Sequence, residues 1–220
     1  MIRTDEEIKR DLIDELYWDY RVDASNVKAE VSDGKVELTG NVSSYSARNA
    51  AVTAAWAING VKEVNNMITV LLPPAIAVPP DAEIETSAER TLAWNPDLYG
   101  HDIEVTVTGG ILKLEGAVDA YWKRWKAQDL VANLRGVLNV ENHLVVAPTE
   151  DHLDQDIAKD IEAAMERNLY VDAEEVTVKV EDGEVTLTGT VPTYYARSKA
   201  YDAAAFTSGV VAVDNNIVVT

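Results

Sequence analysis

The chain has 220 residues, room for one large domain or two or three small ones, and its mix of 47% hydrophobic and 26% charged residues is that of an ordered globular protein. No cysteine is present, which excludes disulfides, thiolate nucleophiles and cysteine-held zinc. A formal charge of −19 argues against a general electrostatic hold on nucleic acid or anionic lipid, since both need clustered Lys and Arg.

The first residues, Met1-Ile2-Arg3-Thr4-Asp5-Glu6-Glu7, lack the apolar core of a signal peptide, and no later run approaches the ~20 apolar residues of a membrane span. The expectation is a cytoplasmic protein as the chain is written, with a processed periplasmic form as the alternative. Ile8, Leu12 and Leu16 then recur every four residues behind an acidic first turn, the pattern of a helix with one apolar face. Val27, Ala29 and Val31 alternate with polar residues and predict a half-buried strand. Asp33-Gly34 predicts a two-residue hairpin turn, because both positions of that turn need positive φ. A second strand follows through Val36 and Leu38, then a second helix over about 44–58 ended by Gly60, then a closing strand over 64–70.

The same series returns twice. Ile84, Ala88 and Leu92, and then Ile157, Ile161 and Met165, repeat the first helix face, and Gly109-Gly110 and Asp182-Gly183 repeat the turn. Offsets of 76 and then 73 align the copies without a gap from Ile8 through Val70. The reading is therefore an α+β protein of three tandem αββαβ domains. Each is expected to be a three-stranded mixed sheet with two helices packed on one face, because the strands alternate and the second helix is a crossover. The expected boundaries are 1–72, a Pro-rich linker over 73–80, 81–147 and 148–220.

Two motifs recur at fixed spacing. A Gly-x-Val-x-Leu-x-Gly-x-Val strand, read loosely in the second copy, spans Gly34 to Val42, Gly110 to Val118 and Gly183 to Val191, and so includes Gly40, Gly116 and Gly189. A Gly-Val-x-x-Val-x-Asn ending spans Gly60 to Asn66, Gly136 to Asn142 and Gly209 to Asn215. On these motifs the unit resembles the BON domain, named for bacterial osmotically inducible and nodulation proteins. The resemblance implies an envelope or stress-associated role, often periplasmic, and a phospholipid- or partner-binding module with no catalytic residues.

No catalytic or cofactor constellation emerges from the residues themselves. His101, His143 and His152 occupy different repeat positions without HxxxH or HxH spacing. Glu150, Asp151, Asp154 and Asp156 lack the calcium-loop pattern and precede a helix, where acids are expected as caps. There is no GxxxxGK[ST], no GxGxxG between strand and helix, and no GxxG loop with a basic groove. The expectation is no enzyme, no cofactor, no metal and no nucleic acid.

Differences between the copies carry the functional signal. Tyr45, Tyr121 and Tyr194 share one position of the second helix and Arg48, Arg124 and Arg197 another. These are read as structural, the Tyr over the helix start and the Arg reaching an acidic group. The middle copy departs with Trp122, Lys123, Trp125 and Lys126 where its siblings have, at the Trp positions, Ser46 and Tyr195, then Asn49 and Ser198. Such an aromatic and basic helix suits a phospholipid headgroup layer or a protein anchor, and it equally suits cover by a sister domain. Trp18 and Trp94 align at the end of the first helix and are expected to cap the core or meet a neighbouring domain. Two readings follow: a stress-associated module contacting phospholipid or another envelope component through that helix, or a cytoplasmic scaffold with its three domains packed together. Oligomeric state is not legible in the residues.

Overall fold

The first helix of each repeat starts where the sequence supplies its own hydrogen-bond acceptors. In the computed structural model, which describes residues 3–72, 77–150 and 152–220, α1 (Asp5–Trp18) opens on a capping box. The Thr4 hydroxyl accepts from the Glu7 N–H, and the Glu7 carboxylate accepts from the Thr4 N–H at 2.9 Å. Its Ile8, Leu12 and Leu16 are buried, as are Ile84 and Leu92 of α3 (Asp81–Ala93) and Ile157, Ile161 and Met165 of α5 (Asp154–Glu166). Each full burial of such a side chain contributes about 1.5–3 kcal/mol.

In repeat one, β1 (Val27–Ser32) pairs antiparallel with β2 (Lys35–Val42), and β2 pairs parallel with β3 (Glu63–Val70), giving the order β1-β2-β3. The middle repeat has β4 (Ile103–Thr108) and β5 (Ile111–Val118), and its closing strand comes in two pieces, β6 (Asn139–Asn142) and β7 (Val145–Val146). The path continues across the interruption, because the His143 N–H still donates to the Leu114 carbonyl at 2.8 Å. Repeat three repeats the first arrangement with β8 (Val176–Glu181), β9 (Glu184–Val191) and β10 (Ala212–Val219). The crossover helices are α2 (Tyr45–Ala57), α4 (Tyr121–Ala132) and α6 (Tyr194–Ala205), and Ser44 and Thr193 cap α2 and α6. In repeat one a single core joins α1, the sheet and the alanine face of α2 (Ala47, Ala50, Ala51, Ala54 and Ala55), so both helices cover the same sheet face. Repeat three has the matching core.

Two features fix the frame. Both residues of the hairpin turns have positive φ, for example 55° and 78° at Asp33 and Gly34. The first acid of each first helix ties that turn down: Asp5 accepts from the N–H groups of Asp33 and Gly34, Asp81 from Gly109 and Gly110, and Asp154 from Asp182 and Gly183, all at 2.7–3.0 Å. These acids serve the turn as well as the helix dipole. At Gly40, Gly116 and Gly189 a Cβ would stand 2.0–2.2 Å from the carbonyl oxygen of Asn26, Asp102 or Glu175, so no other residue fits there.

By internal contact the chain divides into two units, residues 1–91, 105–113 and 129–141 in one, and 92–104, 114–128 and 142–220 in the other. The first holds repeat one with part of the middle repeat, and the second holds repeat three with the remainder. Of the Pro-rich linker, residues 73–76 lie outside the described residues, as does Asp151 of the acidic cluster. At the linker's far end the Ala77 carbonyl accepts from the Arg135 guanidinium at 2.6 Å.

Candidate functional site

Helix α4 carries the residues singled out in the sequence, and its part through Gln128 lies in the second unit. Lys123 is held by Asp119 one turn before it, at 2.8 Å to Oδ1, and its Nζ lies 3.2 Å from His101 Nε2. Its side chain is only 17% exposed. Burial pushes the Asp119 carboxyl up, but the Lys123 hydrogen bond and the charges of Lys123 and His101 outweigh it and hold the group below the usual carboxylate range. Lys123 is therefore an internally partnered cation, and its Nζ also lies 5.8 Å from the Trp122 ring centre. Lys126 is half-buried and makes no ion pair among the described residues.

The aromatic residues of α4 meet the end of α6. Phe206, the C-cap of α6, lies with its ring centre 6.3 Å from that of Trp122 and 6.0 Å from that of Trp125, the latter edge-on. The Tyr121 hydroxyl is 3.1 Å from that of Tyr201, and the Tyr121 side chain packs against the core of repeat three. Burial, reinforced by the Tyr121 hydrogen bond, pushes the Tyr201 phenol well above its ordinary value. Trp122 is half-buried, while Trp125 remains 41% exposed. A cavity of 300 Å³ lies beside Trp125, lined by Tyr121, Arg124, Gln128 and Asn142.

A corresponding junction occurs in the first unit, where the start of α2 meets the end of α4. Ser43, Ser44, Tyr45 and Ser46 line a 440 Å³ cavity together with the 132–137 segment. Arg48 lies over the Tyr45 ring at 5.7 Å and donates to Asn139 Oδ1 at 3.3 Å.

Two of the three aligned arginines reach carbonyls of the closing strand. Arg124 donates to the Asn142 carbonyl at 3.3 Å, and Arg197 to the Asn215 and Ile217 carbonyls at 2.9 Å each. The closing strand is an edge strand, so carbonyls on its open side lack a ladder partner and the guanidinium supplies the donor. The repeated Asn completes this frame. Oδ1 of Asn66, Asn142 and Asn215 accepts from the N–H two residues on, at 3.0–3.2 Å. Burial raises the Tyr194 phenol against the opposing charge of Arg197. Gly60, Gly136 and Gly209 adopt positive φ at the end of the crossover, and a Cβ on Gly60 would stand 2.9 Å from Ile8 Cδ1.

For Trp18 and Trp94 the core-capping expectation fails. They cap no core: they are 80% and 83% exposed, because each stands at the end of its helix past the last buried turn. Phe206 and Tyr201, the counterparts of α4, escape a reading that compares only helix starts. Phe206 is nevertheless the sole Phe of the chain and aligns with Ala57 and Asn133, a contrast visible in the residues.

Among the described residues no group of three or more His, Cys, Asp and Glu is placed to hold a metal, and no helix is long and apolar enough to cross a membrane. The BON domain family model matches residues 4–71, 80–148 and 153–220. Among solved structures the chain is similar to CdsD, a structural protein of the type III secretion system of Chlamydia trachomatis. That likeness has 15% identity and a TM-score of 0.26, covering 97% of this chain and 92% of that one. A structure of the C-terminal domain of CdsD is similar at 15% identity and a TM-score of 0.26, covering 96% of each chain. No curated protein matches the sequence.

Proposed function

Because the chain belongs to the BON domain family through all three of its repeats, we propose that it is a non-enzymatic binding scaffold in which α4 docks the third repeat instead of standing open to an outside ligand. BON domains are in general non-catalytic, and they bind phospholipid, envelope components or proteins. The observation that carries the proposal is the placement of Phe206 against both Trp122 and Trp125. Aromatic contacts of this geometry contribute about 0.5–1.5 kcal/mol beyond the area they bury. Lys123, partnered by Asp119, is not a free cation for a headgroup.

One observation favours a second reading, phospholipid contact through the same helix: Trp125 keeps 41% of its surface exposed beside the unpaired Lys126. Co-sedimentation with phosphatidylcholine vesicles, with and without phosphatidylglycerol, separates the two. Under the scaffold reading the Trp122→Ala/Trp125→Ala variant sediments to the same extent as the wild type, while its resistance to limited proteolysis falls. Sedimentation of the wild type that is lost in the variant overturns the scaffold reading in favour of lipid contact.

A further inference from the structure

The third repeat carries a groove that the α4 junction does not use. It has a volume of 660 Å³ and lies at the end of α5. Met165, Val171 and Val176 line it and are buried, whereas Leu169 is 99% exposed and Tyr170 60% exposed. Full burial of a leucine is worth about 1.5–3 kcal/mol, so a Leu left this exposed contributes nothing to the fold itself. Tyr170 is held edge-on to Tyr195 at 4.7 Å, which gives the rim a fixed aromatic pair. That pair already attracts a cation, since Lys199 Nζ lies 5.4 Å from the Tyr195 ring centre.

The charge of the groove has one sign. Glu162, Glu166, Asp172 and Glu174 line it, and no Lys or Arg does. Asp172 accepts from the Glu174 N–H, whereas the other three carboxylates have no cationic partner among the described residues. The third repeat is also the most acidic, with fourteen acids against five bases over 151–220, compared with twelve against seven over 4–73.

The middle repeat indicates what this region accepts. At the positions aligned with Glu174, Pro192 and Ala196 it has His101, Asp119 and Lys123. There the Lys123 ammonium lies nearly buried against Asp119. The third repeat has Ala196 at the lysine position and Glu174 at that of His101, and no Lys or Arg of its own lines the groove.

We propose that this groove docks a basic, apolar-bearing peptide segment of a partner protein. An Arg or Lys enters among Glu162, Glu166 and Glu174, and an adjacent apolar side chain covers Leu169 and Tyr170. The inference rests on reading the chain as a binding protein but not on the α4 junction, which shares none of these residues.

The test is fluorescence anisotropy on the full chain with two fluorescein-labelled decapeptides, one alternating Arg with Leu and the other Arg with Ser. The Arg/Leu peptide binds the wild type more tightly than the Arg/Ser peptide. Glu166→Lys/Glu174→Lys weakens it by about tenfold or more, while Glu37→Lys/Glu184→Lys, of the same net charge, leaves it within about twofold. Leu169→Ser/Tyr170→Ser abolishes the preference for Arg/Leu, and both residues are exposed enough for the fold to tolerate the change. No binding to the wild type, equal loss in the two charge variants, or an unchanged Leu preference in the Ser variant each overturns the proposal. A vesicle result at α4 leaves all three readouts unaffected.

Discussion

The two junctions of the molecule use the same pair of helix ends and fill the space between them differently. In the first unit the start of α2 brings Ser46 to the end of α4, where Asn133 stands, and a 440 Å³ cavity remains. In the second unit the start of α4 brings Trp122 and Trp125 to the end of α6, where Phe206 occupies the position aligned with Asn133. Small side chains meet small ones and large meet large. The change at α4 is thus one half of a paired change whose other half lies in the next repeat, and a paired change is the mark of a packed contact.

The shared frame bears the largest expected effect. Gly116→Ala drives a Cβ into the Asp102 carbonyl and should lower stability in urea unfolding by about 3 kcal/mol or more. A loss that large in the middle repeat should open both junctions to protease together. Phe206→Ala acts on one junction only, with an expected cost of about 1–2 kcal/mol because the ring is 55% exposed. The aligned Asn133→Ala should cost less than about 0.5 kcal/mol. Equal costs at the two positions would remove the distinction between the junctions.

The comparison sharpens if the aromatic filling can be transplanted. Ser46→Trp/Asn133→Phe should raise stability by about 0.5–1 kcal/mol, and each single change should do less. The smallest effect is expected with pH. The Tyr201 phenol is raised in the folded chain, so the unfolded chain loses this proton first. The stabilisation is present below the ordinary phenol value of about 10 and is lost as pH rises from there through the higher folded value. Tyr201→Phe should flatten that alkaline decline in a melting series.

The fold was legible in the residues because one pattern is written three times. The buried helix faces, the Gly-containing turns and the glycines at Gly40, Gly116 and Gly189 each follow from periodicity or steric need. The site was legible in half. Trp122 and Trp125 stand out against Ser46 and Asn49 at the sequence level, but their partner Phe206 lies 84 and 81 residues on, and local pattern carries no such separation. Charge is visible in a sequence, whereas the open carbonyls on an edge strand that Arg124 and Arg197 reach are not. The near-complete exposure of Trp18 and Trp94 is likewise a property of where the helix ends over the core, which periodicity places only to within a residue or two.

Because Phe206 is the only phenylalanine, ¹³C-phenylalanine labelling isolates it in the spectrum of the intact chain. A ¹³C-edited nuclear Overhauser experiment then tests whether α4 is docked. The account predicts cross-peaks from the Phe206 ring to the indole protons of both Trp122 and Trp125, and a shifted Phe206 resonance in the Trp122→Ala/Trp125→Ala variant. Absence of both indole cross-peaks, with an unchanged Phe206 resonance in the variant, would contradict it.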